Sequence, residues 1–320
     1  MFKTIKVTGS NISFEVIMLS RFKFLHVLVL VAVGLSIQLE AKETQVISHL
    51  PIQSAQDQYF SELIKLAIKH ADNGHKYKTE EINQKLNQQQ QAIRLNDGRL
   101  SIMWAGTTPD YEERLNPIRI PLLKGLQGHR IFIIRANDQA RFSSINTFAD
   151  LQQFKAGQGR FWGDTSILKN ADLPVVTPLK KESLFYMVDG ERFDYFPLAV
   201  HEPWSEVQSR QDLQLAVEKQ ILLIYPMAMY FFTGKDDVAL ANMLRQGLNR
   251  AVANGEFDKV FYNTPHIKAA LKLANLSERK VFRIKNPNLP AATPLDRKEL
   301  WLDIESDNDA KKNQLVVAKM

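Results

Sequence analysis

The sequence predicts an α/β protein of two lobes joined by two crossover strands, and three observations lead there. Residues 45–104 read as strand, helix, strand, helix, strand, the order of an α/β unit with a largely parallel sheet. A second run of alternating strands and helices extends from 147 to about 225. Between and after these runs stand two strongly apolar strands, 130–135 and 221–225, placed as a crossover between two units would be. A chain of 320 residues holds two domains of ordinary size. Lobe one is then 42–134 with 227–300, lobe two 135–226, and 301–320 a polar, disordered tail.

The chain begins with a leader. Arg21 and Lys23 precede the apolar run 24–37, and Leu39-Glu40-Ala41 follows, the order of a secretory signal cleaved after Ala41. Met18 is a second candidate start, and the run is too short to span a bilayer comfortably, which sets the signal against the competing reading of an uncleaved membrane anchor. Residues 45–52 form a first strand ended by Pro51. Asp57 then caps a helix whose stripe is Phe60, Leu63, Ile64, Ala67, Ile68 and Ala71, stopped by Gly74. A polar strand at 76–82, a glutamine-rich helix at 84–95, the Asn96-Asp97-Gly98 turn and a strand at 100–104 follow. The strand opens into a polar loop, 105–111.

After the first crossover, Thr147 caps a short helix, 148–154. A glycine-rich turn, 157–165, leads into a helix at 166–171, a strand at 175–176, a helix at 182–189, a strand at 193–200 and a helix at 201–208. Beyond the return strand, residues 238–254 carry a clear helical stripe that stops at Gly255. Two further helical pieces end near Leu276, residues 281–284 form a strand, and 286–293, with three prolines, should be extended.

Composition narrows the function. Of the formal charge of +6, the leader carries four basic and two acidic residues, which leaves +4. That mild balance offers no basic stripe for a phosphate backbone, so nucleic acid is excluded as a partner. With no cysteine there are no disulfides, thiolate metal sites or thioether-linked lipid anchors. His201-Glu202-Pro203-Trp204-Ser205 has Ser where a zinc-peptidase helix needs its second His, and His70 and His75 do not share a helix face. Glycines 157, 159 and 163 miss the dinucleotide fingerprint by one position. No cofactor, metal or covalent catalysis is expected.

Binding residues remain. Asp164, Thr165 and Ser166 after the glycines offer a helix start to an anion, or simply cap the helix. Arg114, near Thr107 and Thr108, has the guanidinium fork that suits a carboxylate, or forms a surface ion pair with Asp110 or Glu113. Trp104 and Trp162 wall an apolar or cationic group, or belong to the core. Asp194, His201 and Glu202 flank the ends of the 193–200 strand, where α/β ligand crevices lie; for Asp194 the competing role is ion pairing with Arg192.

Several of these residues carry a resemblance. The loop Gly106-Thr107-Thr108-Pro109 with Arg114 and the proline-bearing run after it, residues 147–154 leading to the 157–165 turn, and Gly190-Glu191-Arg192-Phe193-Asp194 before a strand resemble the type II periplasmic solute-binding fold. The nearest group is the substrate-binding proteins of polar amino acid ABC transporters, over roughly residues 44–285. The resemblance implies a clamp with two hinge strands. It makes Arg114 the arginine that holds an α-carboxylate, assisted by Thr108 and the Thr165 helix start. The expected function is therefore periplasmic capture of a small carboxylate-bearing ligand for an inner-membrane permease. A sensory or accessory module for a membrane signalling protein is the alternative, and a hydrolase or lyase using Asp194 with Glu202 or Glu206 the enzymatic one.

Overall fold

A computed structural model describes residues 44–304 of the chain. The leader and the tail beyond Ile304 lie outside the described residues. The described chain starts with β1 (Gln45–His49), α1 (Ala55–His70), β2 (Tyr77–Glu81), α2 (Gln88–Asn96) and β3 (Met103–Gly106), then α3 (Pro109–Arg114) and β4 (Asn116–Ile118). The first apolar strand is β5 (His129–Arg135), followed by α4 (Gln139–Ser143), α5 (Phe148–Leu151), β6 (Ala156–Gly157), α6 (Gly163–Asn170), β7 (Val175–Val176) and α7 (Lys181–Asp189). Next come β8 (Phe196–Ala199), α8 (Pro203–Gln208), β9 (Leu215–Val217), β10 (Ile221–Ile224) and β11 (Met229–Thr233). The chain continues with α9 (Val238–Ala253), α10 (Glu256–Asn263), α11 (Pro265–Ala274) and β12 (Lys280–Arg283).

The alternation expected from the sequence is present, with corrections. The side chain that caps α1 is Ser54, not Asp57; Ser54 accepts from the Asp57 amide at 3.0 Å and donates back to its carboxylate at 2.7 Å. α1 stops at His70, before Gly74. The 105–111 loop is shorter than expected, because Thr108 caps a helix that starts at Pro109 and takes in Arg114. Residues 286–293 are turned rather than extended, with Leu289 donating to the Asn286 carbonyl at 3.3 Å and Thr293 to that of Pro290 at 3.0 Å.

The sheets are mixed rather than largely parallel. β1 and β2 pair in parallel, whereas β11 lies antiparallel between β3 and β4. In the larger sheet β5 is antiparallel to β8, β9 and β10, and β10 carries β12 in parallel on its other side. The two apolar strands taken as crossovers are thus direct neighbours, in register Leu223 to Arg130. Phe282 of β12 is buried in the core of the larger sheet with Phe132, Tyr195 and Leu223. The main core, around Phe60, Leu63, Leu244 and Phe261, also takes in Ile131, Val200 and Leu222 from the larger sheet.

Candidate functional site

Two cavities flank the paired ends of β3 and β11. The first, of about 550 Å³, lies beyond the C-terminal ends of the parallel pair β1 and β2, beside the start of β3; such strand ends are where α/β crevices form. Trp104 and Met229 form its apolar wall. Trp104 is half-buried against Phe60 at 5.6 Å and Phe231 at 6.4 Å, and its indole N–H donates to Asp57 at 3.2 Å. Gln53, Gln56, Gln84 and Gln88 bring amides to the rim, and Asp57 and Lys85 bring opposite charges.

The second cavity, of about 450 Å³, gathers Thr107 and Thr108 after β3, Gly163 and Ile167 of α6, Met227 between β10 and β11, and Asn288 of the segment after β12. Every residue of its lining is uncharged. The Thr108 hydroxyl accepts from the Tyr111 amide at 3.1 Å as the α3 cap, which leaves its own proton to donate. The Thr107 hydroxyl donates to Glu112 at 2.8 Å, and Glu112 in turn accepts two bonds from Arg119.

Arg114 lines neither cavity. Its guanidinium is paired with Asp110 one helical turn earlier and donates to Gln89 at 3.3 Å. Being on α3 rather than in a loop fixes that direction, and the surface pair weighed as its alternative is the arrangement present. Trp162 packs at 6.3 Å from Phe196, over Gly159, where a Cβ would collide with the indole. Thr165 donates its hydroxyl to the Gly159 carbonyl at 2.7 Å, closing the glycine turn on itself. Asp164 turns its carboxylate inward to Arg130 and the Tyr225 hydroxyl, both buried.

Asp194 and Glu202 lie beyond opposite ends of β8, which removes the geometry of an acid–base pair. Asp194 accepts from Arg141 at 2.6 Å and from the Lys155 amide at 2.7 Å; Arg192, its expected partner, is not the one it uses. Glu202 folds back onto the Ala199 amide at 2.8 Å. His201 is pushed to a lowered pKa by burial, with Arg130 and His266 adding to the shift and Glu202 opposing it, so the ring is neutral near pH 7. Its Nδ1 has no hydrogen-bond partner among the described residues. Among the described residues no group of three His, Asp or Glu could hold a metal ion, and no helix is long and apolar enough to cross a membrane.

Arg130, Tyr225, Asp57 and Lys85 were not singled out by sequence reasoning. Arg130 had a signal: an arginine inside the apolar run 130–134 must find a buried counter-charge. Asp57 was noted only as a cap, and Lys85 sits in a polar stretch where nothing marks it.

No family model matches the chain, and no curated relative is found. Solved structures of amino-acid ABC transporter substrate-binding proteins match it across most of its length. A probable amino-acid ABC transporter extracellular-binding protein from Bacillus subtilis aligns with 70% of this chain and 99% of its own, at 12% identity and a TM-score of 0.51. A periplasmic His/Glu/Gln/Arg/opine family-binding protein from Silicibacter pomeroyi, in complex with lysine, aligns at 10% identity over 64% and 84% of the chains, with a TM-score of 0.44. An ancestral arginine-binding protein bound to glutamine gives 12% over 65% and 86%, also at 0.44. At such identities the likeness shows the fold alone: mixed α/β, of the type II periplasmic binding protein kind.

Proposed function

We propose that the chain is a periplasmic solute-binding protein that captures a small amino-acid-like ligand, bearing a carboxylate, for an ABC-type permease. One observation carries the reading: a single cavity beyond the C-terminal ends of β1 and β2 presents Asp57, Lys85, a row of amides and the Trp104 wall. A zwitterion needs one charge of each sign within its own length. Asp57 already accepts from the Gln53 amide, the Ser54 hydroxyl and the Trp104 indole, and a carboxylate has about four acceptor sites, so one is left for an ammonium group. Lys85 is exposed and has no bonded partner; it is the cation to which a ligand carboxylate would go, the part Arg114 was expected to play. The glutamine amides both donate and accept, which suits a polar side chain. The second cavity adjoins across the β3–β11 pair and supplies the Thr108 hydroxyl. The two neighbouring strands β5 and β10 would then serve as the hinge of a clamp, and closure would strengthen each polar contact by excluding water.

The test is a thermal-shift screen of residues 42–320 against amino acids, dicarboxylates, short peptides and sugars. A ligand at about a hundred times its dissociation constant adds roughly 2.7 kcal/mol. One amino acid should raise the midpoint selectively. Asp57→Asn and Lys85→Ala should each abolish that rise, and Arg114→Ala should retain it. Loss of the rise in Arg114→Ala alone would return the carboxylate to the arginine. A folded, ligand-free protein that responds to nothing would favour the sensory or accessory reading.

A further inference from the structure

After α11, whose Ile267 and Ala274 lie in the main core, the chain returns to the larger sheet at β12 and then leaves it again, two passages more than two crossover strands require. β12 is held in the larger sheet by its parallel pairing with β10, and Phe282 packs against Phe148 at 6.0 Å. Lys280 anchors the same strand to the Ile145 carbonyl and, at 2.8 Å, to Asn146. Further on, Leu300, Leu302 and Ile304 are buried in the main core, the one that holds Phe60 and Leu244. There the Leu302 amide donates to the Lys124 carbonyl at 2.8 Å, and the buried Lys124 ammonium donates to the Glu299 carbonyl at 2.7 Å. Trp301 lies over Gly125, which adopts a positive φ of 73° and has no room for a Cβ beneath the indole.

Between these anchorages the segment crosses the second cavity. The Asn286 amide donates to the Pro226 carbonyl at 2.9 Å, in the link from β10 to β11. The Asn288 amide donates to the Ser166 hydroxyl at 2.5 Å and to the Gly163 carbonyl at 3.4 Å, both in the first turn of α6. On the far side of the cavity stand Thr108 and Pro109. β5 and β10 are neighbours and so supply one axis for relative motion. An attachment away from that axis takes the motion away.

We infer that residues 284–299 are a further connection between the lobes beyond the two crossover strands, and that Asn288 is a positioning residue of the cleft, holding α6 opposite the Thr107–Pro109 loop before any solute arrives. The inference rests on the solute-binding reading only in treating this cavity as part of the ligand cleft; the tether stands without it. Such a protein binds into a largely preset cleft, and its closing motion is smaller than two hinge strands alone would allow.

The absence of cysteine makes the test direct. Ile93→Cys on α2 and Tyr186→Cys on α7, both exposed, give one spin-label pair across the lobes of the full chain. Pulsed dipolar spectroscopy without added solute should return a single narrow distance. Adding Asn288→Ala should introduce a second, longer population, and Pro287→Ala, which keeps both amide bonds, should not. Ser166→Ala, at an exposed position, removes one of the two acceptors and should give the same longer population even if Asn288→Ala fails to fold. A parent that already shows two distances, or an unchanged distribution in a folded Asn288→Ala or in Ser166→Ala, overturns the tether. No solute enters this measurement, so a silent ligand screen and a failed tether are separate results.

Discussion

Asp164 was expected to face a ligand and is instead one member of a buried group with Arg130 and Tyr225. Arg130 pays for its burial with a desolvation that pulls its pKa down, and Asp164, Tyr225 and Glu202 more than offset that pull. Removing one partner leaves an uncompensated charge in the interior, so Asp164→Ala should cost about 3–5 kcal/mol in urea unfolding. The pair Arg130→Met with Asp164→Leu should recover most of that loss; a double variant no better than the single would assign the loss to packing. His129 supplies a pH dependence. Burial lowers its pKa from 6.5 to about 4, against the hydrogen bond between Nδ1 and the Gly125 carbonyl at 3.0 Å, with Arg283 and Arg130 adding to the shift. Between those two values the unfolded chain binds a proton that the folded chain excludes. Stability is therefore complete above about pH 6.5 and falls as the pH drops towards 4, by about 3 kcal/mol for this group. His129→Asn, which keeps a donor for Gly125, should flatten that decline, and parallel curves for variant and parent would place the titration elsewhere. These roles were hard to read from sequence for a common reason. A charged side chain at a strand end looks the same whether it meets solvent, a ligand or a partner brought in from far along the chain.

At the scale of elements, the periodicities translated well and the ends less so. The stripe from Phe60 to Ala67 is the buried face of α1, and that of α9 was read with similar accuracy, because an amphipathic helix declares its face at every turn. Ser54 and Asp57 make a reciprocal pair, and the sequence alone does not say which of the two is the cap. The strand after the Gly98 turn was placed at 100–104 and lies at Met103–Gly106, since the apolar run also packs while it is still leading into the strand. Gly247 shows what periodicity cannot: a Cβ there would stand 1.9 Å from the Ala67 carbonyl oxygen, so α9 meets α1 backbone to backbone. Gly247→Ala should raise intrinsic helix propensity by about 1 kcal/mol and yet lower the melting temperature, as overpacking costs of roughly 1–3 kcal/mol exceed the gain. A variant that melts higher than the parent would mean that the helices separate freely.

For the whole molecule, the α/β class was legible, and the path of the chain after the return strand was not. The prolines between 286 and 293 advertised an irregular segment without saying what it spans. Because Ile131, Val200 and Leu222 of the larger sheet share a core with Phe60 and Leu244, neither part can open its interior alone. Calorimetry should therefore give one cooperative transition, with equal van't Hoff and calorimetric enthalpies, instead of two separate steps.

The position of β12 also orders events in time. During synthesis β10 emerges well before its parallel neighbour, and until residues 280–283 arrive its outer edge offers unpaired backbone groups to any passing strand. The same late residues carry Asn286 and Asn288 to the second cavity. A chain cut short before them would lack that cavity's wall and keep an adhesive sheet edge, so truncated copies would be marked for aggregation or proteolysis while only finished ones acquire a complete cleft.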